Sequence, residues 1–237
     1  MSRRFAARFA QNAEDVRAAQ ALRGLAFREG KADADQFDKT CIHVLIEDRL
    51  EQRLACAFRI LPFESGAEIS RSYAAQFYEL SGLRDFEGKL VEMGRFCIDP
   101  RYNDPDILRT AWAAMTAYVD ANNVKMLFGC SSFHGAEAEA HLEAFALLKA
   151  RHLAPRKYLP KIKAPKVFRF ARLMRKPNPR AAQTAMPPLL RTYLMMGGWT
   201  SDHAVVDRDL DTLHVFTGLE IGAIPDGRKR LLRAAVG

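Results

Sequence analysis

Apolar positions along the chain switch between helical spacing and short continuous runs, the signature of alternating helices and strands. Over 12–28, Val16, Ala19, Leu22 and Ala26 recur near the helical period with Phe27 beside them. Asn12 suits the N-cap, with Asp15 three residues beyond it. The runs 41–46 (C-I-H-V-L-I) and 54–61 (L-A-C-A-F-R-I-L) are short, apolar and rich in β-branched or aromatic residues, so they predict a hairpin ended by Pro62. A short helix is expected around 73–80, and a third strand over 90–98 (L-V-E-M-G-R-F-C-I). Residues 106–122 predict a helix with Ile107, Leu108, Ala111, Trp112, Met115 and Val119 on one face, started by Pro105 and Asp106. A strand over 124–130, a helix over about 136–151, a helix over 189–196 stopped by Gly197 and Gly198, and late strands at 204–206 and 213–219 follow. This order predicts one mixed α/β (α+β) domain over 1–237. Within it lies a Pro/Lys/Arg-rich segment at about 149–188.

Charge sharpens that last point. The formal net charge is +8, but no Asp or Glu occurs between Ala144 and Ser201, where 13 of the 36 basic residues lie. The remainder is net acidic, 23 basic against 28 acidic residues. Such a segment is a solvated surface, a docking face for an acidic partner, or a membrane contact. Read as a helix, K-V-F-R-F-A-R-L-M-R-K places Val167, Phe170, Ala171 and Met174 on one face. Lys166, Arg169 and Arg172 lie away from it, as does Lys176, and Arg175 adds to the charge. Aromatic interleaving is sparse and no nucleic-acid motif occurs, so no nucleic-acid partner is expected. No run approaches 18 apolar residues and the N-terminus lacks a secretory pattern, so a cytoplasmic protein with at most peripheral membrane contact is expected.

Four cysteines, Cys41, Cys56, Cys97 and Cys130, sit in apolar runs without C-x-x-C spacing and read as buried free thiols. The six histidines are scattered, so no metal site is expected. Ser131 and His134 fall in G-C-S-S-F-H-G, which is not the G-x-S-x-G of a serine hydrolase.

Other residues can carry chemistry. Glu92 lies in an apolar strand, where a carboxylate is either a structural ion-pair partner or a proton acceptor of altered basicity. Arg95, three residues on, points to the opposite face of a regular strand. Asp33, Asp35 and Asp38 read as a solvated loop leading into a strand that carries His43. Arg59, in A-F-R-I-L, requires a carboxylate if it points inward, and a substrate could supply it. R-Y-N-D-P-D-I, containing Arg101 and Asn103, opens a helix whose free N–H groups suit a phosphate.

The string V-E-M-G-R-F-C-I-D-P, then R-Y-N, a Trp-bearing helix and L-F-G-C-S-S-F-H-G resembles the ornithine–acyl-carrier-protein N-acyltransferases of ornithine-lipid synthesis, also labelled haemolysin-like. So does the later P-P-L-L-R-T-Y-L-M-M-G-G with V-V-D-R-D-L-D-T-L-H-V-F. The match runs in order over roughly 16–220. A weaker resemblance is to acyl-homoserine-lactone synthases. It rests on Arg23 and Phe27, Asp35 and Asp38, Arg59 with Leu61 and Pro62, and Glu92 with Arg95 and Phe96.

These resemblances imply a GNAT-like mixed twisted sheet flanked by helices. They also imply transfer of a (3-hydroxy)fatty acyl group from acyl carrier protein to the α-amine of an amino acid, most readily L-ornithine, with glutamine, glycine or another amino acid as the alternatives. Glu92 is then the expected base, and Arg59 or Arg95 holds the acceptor's carboxylate. Asp38 or Asp48 faces a cationic side chain, and two or three of Ser131, Ser132 and His134 line the acyl or pantetheine channel. Arg23, Phe27 and His43 complete the expected substrate-binding set. The loop R-Y-N-D-P-D-I lacks the glycines of a coenzyme A pyrophosphate loop. The expected donor is therefore the phosphopantetheine thioester of the carrier, with no bound cofactor. A lactone-type signal synthase and a non-enzymatic basic module are the alternatives.

Overall fold

The structure, a computed structural model, describes residues 4–234. In chain order its strands are β1 (Phe5–Phe9), β2 (Ile42–Asp48), β3 (Arg53–Phe63), β4 (Tyr78–Glu79), β5 (Lys89–Ile98), β6 (Val124–His134), β7 (Lys161–Ile162), β8 (Val167–Phe168), β9 (Trp199–Thr200), β10 (Ala204–Asp207) and β11 (Thr212–Glu220). The α-helices are α1 (Ala13–Phe27), α2 (Pro105–Asn122), α3 (Leu142–Arg151), α4 (Pro179–Ala185), α5 (Pro188–Met195) and α6 (Asp226–Ala234). The chain forms two compact units. The first comprises 1–62, 93–124 and 226–237, and the second 63–92 and 125–225.

In the first unit, β1, β2 and β3 pair antiparallel, and the later part of β5 lies beside β3. Helix α1 starts as expected, Asn12 accepting from the N–H of Asp15. It buries Ala19 and Leu22 against Leu45, Ala57 and Cys97. Gly24 lets the loop after α1 fold back across the helix: a Cβ there would stand 2.2 Å from the carbonyl oxygen of Lys31. Helix α2 buries Ile107, Ala111, Trp112, Met115 and Val119, and ends at Asn123 in the left-handed region. Asn tolerates that conformation better than most side chains.

In the second unit, β6 pairs along its length with β11, which continues through β10 to β8, all antiparallel. Strand β9 also pairs with β11. One face is covered by α3, α4 and α5, with Phe133, Phe145, Phe170, Leu190, Leu213 and Val215 in the core. The mixed sheet architecture with flanking helices agrees with the expected fold class.

Four local expectations are corrected. Strand β3 runs through Pro62 to Phe63. The segment 73–80 forms a 3₁₀ turn and the short β4 rather than one helix. Strand β6 continues to His134, so the serines lie within it and not after it. Finally, 166–176 is not an amphipathic helix: it contains β8 and a 3₁₀ turn, and Phe170 is fully buried against the Phe145 ring. Pairing with β10 supplies backbone partners, while an isolated helix of that length is marginal in water.

Candidate functional site

The loop after α1 carries three carboxylates into the first unit. Asp33 is 1% exposed and Asp38 is 8% exposed, so the expectation of a solvated acidic loop is corrected. Arginines account for the burial. Arg23, 1% exposed, donates from Nε to Asp33 at 2.9 Å and from Nη1 to Asp38 at 2.6 Å. Arg28 also donates to Asp33. Arg59 donates from Nη1 to Asp35 at 2.6 Å and to Asp38 at 2.5 Å. Arg95 places Nε 3.0 Å from Asp33 and Nη2 3.4 Å from Asp35. Four guanidiniums thus surround three carboxylates. Burial pushes the Asp38 carboxyl up, but hydrogen bonds from Arg23 and Gln20 more than offset this and hold it well below its usual range. The ring of His43 lies 3.1 Å from the carbonyl oxygen of Asp38.

Arg59 points inward, and Asp35 and Asp38 supply the carboxylates that an inward Arg59 requires. Phe27 packs, partly buried, on the α1 side of this unit. The fork of Arg95 reaches the cluster because Arg95 itself has φ 52°, in the left-handed region within β5. That conformation is costly for a non-glycine residue and is held by its surroundings. Strand β5 is therefore not regular, and the expected alternation between Glu92 and Arg95 does not apply.

Asp48 is wholly buried. It accepts from Arg4, from the hydroxyl of Tyr102 and from the N–H groups of Leu50 and Glu51. This network ties the β2–β3 turn to the loop before α2 and leaves Asp48 as a structural clamp rather than an exposed partner for a cation. Beside it lies a cavity of about 420 Å³ lined by Arg4, Glu51, Arg53, Arg101, Tyr102, Asn103 and Asp104. Arg4 pairs with Asp48 and Asp104, and Arg101 with Asp99, which leaves Arg53 as the lining guanidinium with no ion pair among the described residues. Arg101 is 61% exposed while bonded to Asp99, and Asp104 caps α2.

In the second unit, Glu92 is 4% exposed. Its two oxygens accept the N–H groups of Tyr73 and Ala74, each at 2.7 Å. Those N–H groups open the 3₁₀ turn that stands where a helix was expected. Ser131 is buried and accepts from Thr217 Oγ1 at 2.9 Å, whereas Ser132 and His134 are exposed on alternate positions of β6. Strand periodicity thus puts Ser132 and His134 on one face of β6 and Ser131 on the other.

Beside β11 lies a polar cluster without a sequence signal. Tyr78, fully buried in β4, donates to the carbonyl oxygen of His214 at 2.7 Å and lies 3.1 Å from its Nδ1. Burial pushes the Tyr78 hydroxyl well up. His203 packs its ring on Tyr78 and holds Nδ1 2.6 Å from Asp202. The rings of Tyr73, Phe77 and His214 follow one another at 5.3 and 5.0 Å, linking this cluster to the segment that grips Glu92. Isolated Tyr and His residues in mixed surroundings give no pattern. Among the described residues no group of acidic, His and Cys side chains could hold a metal.

Comparison with known proteins decides the class. Residues 18–113 match the family described as Acetyltransferase (GNAT) domain. The L-ornithine N(alpha)-acyltransferase of Rhodobacter capsulatus is 32% identical over 238 residues, covering 92% of this chain and 91% of that protein. The chain belongs to the L-ornithine N(alpha)-acyltransferase family. The member from Brucella abortus is 30% identical, over 92% of this chain and 84% of its own length. Among solved structures, FeeM, an N-acyl amino acid synthase from uncultured soil microbes, aligns with a TM-score of 0.53 at 11% identity, over 92% of both chains. The apo form of TofI aligns with a TM-score of 0.50 at 14% identity, over 98% of both chains. These similarities establish the GNAT-like fold, and the family makes the protein an N-acyltransferase. No α-helix among the described residues is long and apolar enough to cross a membrane.

Proposed function

We propose that the protein transfers a fatty acyl group from the phosphopantetheine thioester of acyl carrier protein to the α-amine of an amino acid, L-ornithine. The acceptor follows from what its relatives are named for. The donor rests on one observation, the cavity at the start of α2. Its one guanidinium without an ion pair, that of Arg53, suits the one phosphodiester of a carrier-bound phosphopantetheine. The several phosphate charges of coenzyme A would be under-compensated there.

The reaction is aminolysis of a thioester. The ammonium of the acceptor loses a proton, and Glu92 is the proposed group that takes it, directly or through a water. The neutral amine then attacks the thioester carbonyl. Collapse of the tetrahedral intermediate forms the amide and expels the pantetheine thiolate, which is protonated as the free thiol. The grip of the Tyr73 and Ala74 N–H groups fixes the Glu92 carboxylate in one orientation, which supports a positioned base. The Arg23–Asp38–Arg59 cluster supports the loop 33–38 and contributes rigidity. Arg95 is the proposed holder of the acceptor carboxylate.

The test is direct. Purified protein, acyl-carrier thioester and L-ornithine should yield N-acylornithine by mass spectrometry and one free thiol per amide. The same acyl group on coenzyme A should react far more slowly. Equal turnover with both donors would remove the carrier, and no amide from any thioester and amino-acid pair would remove the reaction.

A further inference from the structure

The second unit projects a surface whose composition the acyl-transfer chemistry does not use. Between Lys166 and Arg180 six basic residues, Lys166, Arg169, Arg172, Arg175, Lys176 and Arg180, are all exposed. Arg175 pairs with Glu143, and Arg169 lies near enough to Asp202 to influence it. Lys166, Arg172, Lys176 and Arg180 form no ion pair among the described residues. The segment is nevertheless well anchored. Phe170 is 0% exposed and stacks on Phe145, Leu173 packs on the same core, and Lys149 donates to the Leu173 carbonyl oxygen at 2.5 Å.

Met174 stands in the middle of these charges and is 98% exposed. Leu50, at 74%, and Leu231, at 64%, are the next most exposed large apolar side chains. A single exposed apolar residue is ordinary. An anchored segment whose neighbours turn inward while one flexible, apolar side chain turns outward among unpaired cations is a combination that water alone does not favour. It matches the two-part chemistry of an anionic bilayer surface. Cations are drawn to phosphates at the headgroup level, and a short apolar side chain gains by entering the acyl boundary. An acidic protein would take the cations but gives no reason for the outward methionine.

We infer that the face formed by Lys166, Arg169, Arg172, Met174, Lys176 and Arg180 rests on a membrane rich in anionic lipid. It seats the enzyme peripherally beside the layer that an acylated amino acid would enter. This contact stands apart from the acyl-transfer reading, because vesicle binding needs no donor or acceptor.

The experiment is co-sedimentation of the full chain with vesicles of phosphatidylglycerol and phosphatidylcholine in equal parts, and with vesicles of phosphatidylcholine alone. Each charge near the surface contributes about a fivefold change in binding. Binding is expected only to the mixed vesicles. A variant with Arg172→Glu, Lys176→Glu and Arg180→Glu should lose it by more than about tenfold. Met174→Ser, which keeps every charge, should weaken it several-fold, and the loss should persist in salt that screens the cations. Thermal melts should match the parent, since these side chains are exposed. Absent binding to the mixed vesicles overturns the inference, and so does binding unchanged in either variant. An unchanged Met174→Ser would leave only unspecific charge attraction, which is not the seated contact inferred. A triple variant that still binds vesicles but shows a raised KM for the carrier in a vesicle-free assay assigns the face to carrier docking instead.

Discussion

Arg23 Nη1 donates to Asp38 Oδ1 at 2.6 Å, and both side chains lie almost wholly out of water. A second guanidinium, that of Arg59, reaches the same oxygen at 2.5 Å. Removing the shared carboxylate takes one partner from each of two buried guanidiniums, leaving Arg23 with Asp33 and Arg59 with Asp35. Asp38→Ala should therefore destabilise the protein by about 3–5 kcal/mol. In a chain of this size that lowers Tm by roughly 10 °C. Urea unfolding read by circular dichroism checks the first figure and a thermal melt the second.

The same cluster sets a pH dependence. Burial opposes ionisation of Asp33 and Asp38, but their arginine partners win, so both carboxyls are held below the usual range in the folded state. A depressed carboxylate contributes stability that is present above its unfolded pKa, about 3.9, and is lost as pH falls toward the folded value. Urea midpoints should be flat from neutral pH to about 5 and decline steadily below about 4. Asp38→Asn should flatten that acid limb. An unchanged slope would show that other carboxylates govern it.

Glu92→Gln keeps size but replaces one acceptor oxygen by a donor facing a backbone N–H. Loss of a base lowers kcat by roughly 10²–10⁴-fold. Loss of one grip hydrogen bond costs about 1–3 kcal/mol, which the fold should survive. Steady-state kinetics and a melt on the same preparation separate the roles. Reduced kcat with a near-normal melt identifies the base, whereas normal kcat with a lowered Tm identifies a purely structural carboxylate.

Arg53 lines the cavity at the start of α2 and is exposed. Arg53→Glu replaces the one lining guanidinium without an ion pair by a carboxylate. KM for the acyl carrier should rise about tenfold or more at low ionic strength while kcat holds, and the gap should narrow in salt. A KM that does not move would take the phosphodiester away from this cavity.

The cysteines divide by burial. Cys56 and Cys97 are buried, and burial pushes their thiols up, Cys97 to about 12. Only the thiolate reacts. A thiol-specific dye should label at most Cys41 and Cys130 in the native protein and all four in urea, as peptide mapping can show. Rapid native labelling of Cys56 or Cys97 would contradict the packing of α1 on the sheet.

Helices α1, α2 and α5 and strands β2, β5, β10 and β11 were legible in the sequence. Their apolar periodicity is local, and their ends carry local stop signals such as Asn12, Pro105 and Gly197. The strand β1 and helix α6 were not. Five residues of F-A-A-R-F carry no decisive period, and D-G-R-K-R-L-L-R-A is polar. Each is held by partners distant in sequence: β1 by β2, and α6 by the Arg233–Asp120 pair with α2.

Chemistry divides along the same line. Residue types and order alone marked Glu92, Arg59, Arg95 and the R-Y-N loop, because a charge inside an apolar run and a polar string before a helix are visible without coordinates, whereas only a resemblance marked Asp38. The partners of those residues were not visible. Whether Arg59 meets a substrate or Asp35 and Asp38 depends on a loop more than twenty residues away folding back over Gly24. Whether Glu92 stands alone or is gripped by the Tyr73 and Ala74 N–H groups depends on a 3₁₀ turn whose own residues lack a helical period. The tyrosine–histidine cluster around Tyr78 joins residues 136 apart. Local sequence records which groups must be satisfied, since burying a charge or a polar atom is costly. Only the tertiary structure decides what satisfies them, because that energy is recovered from whichever distant group the fold brings within about 3 Å.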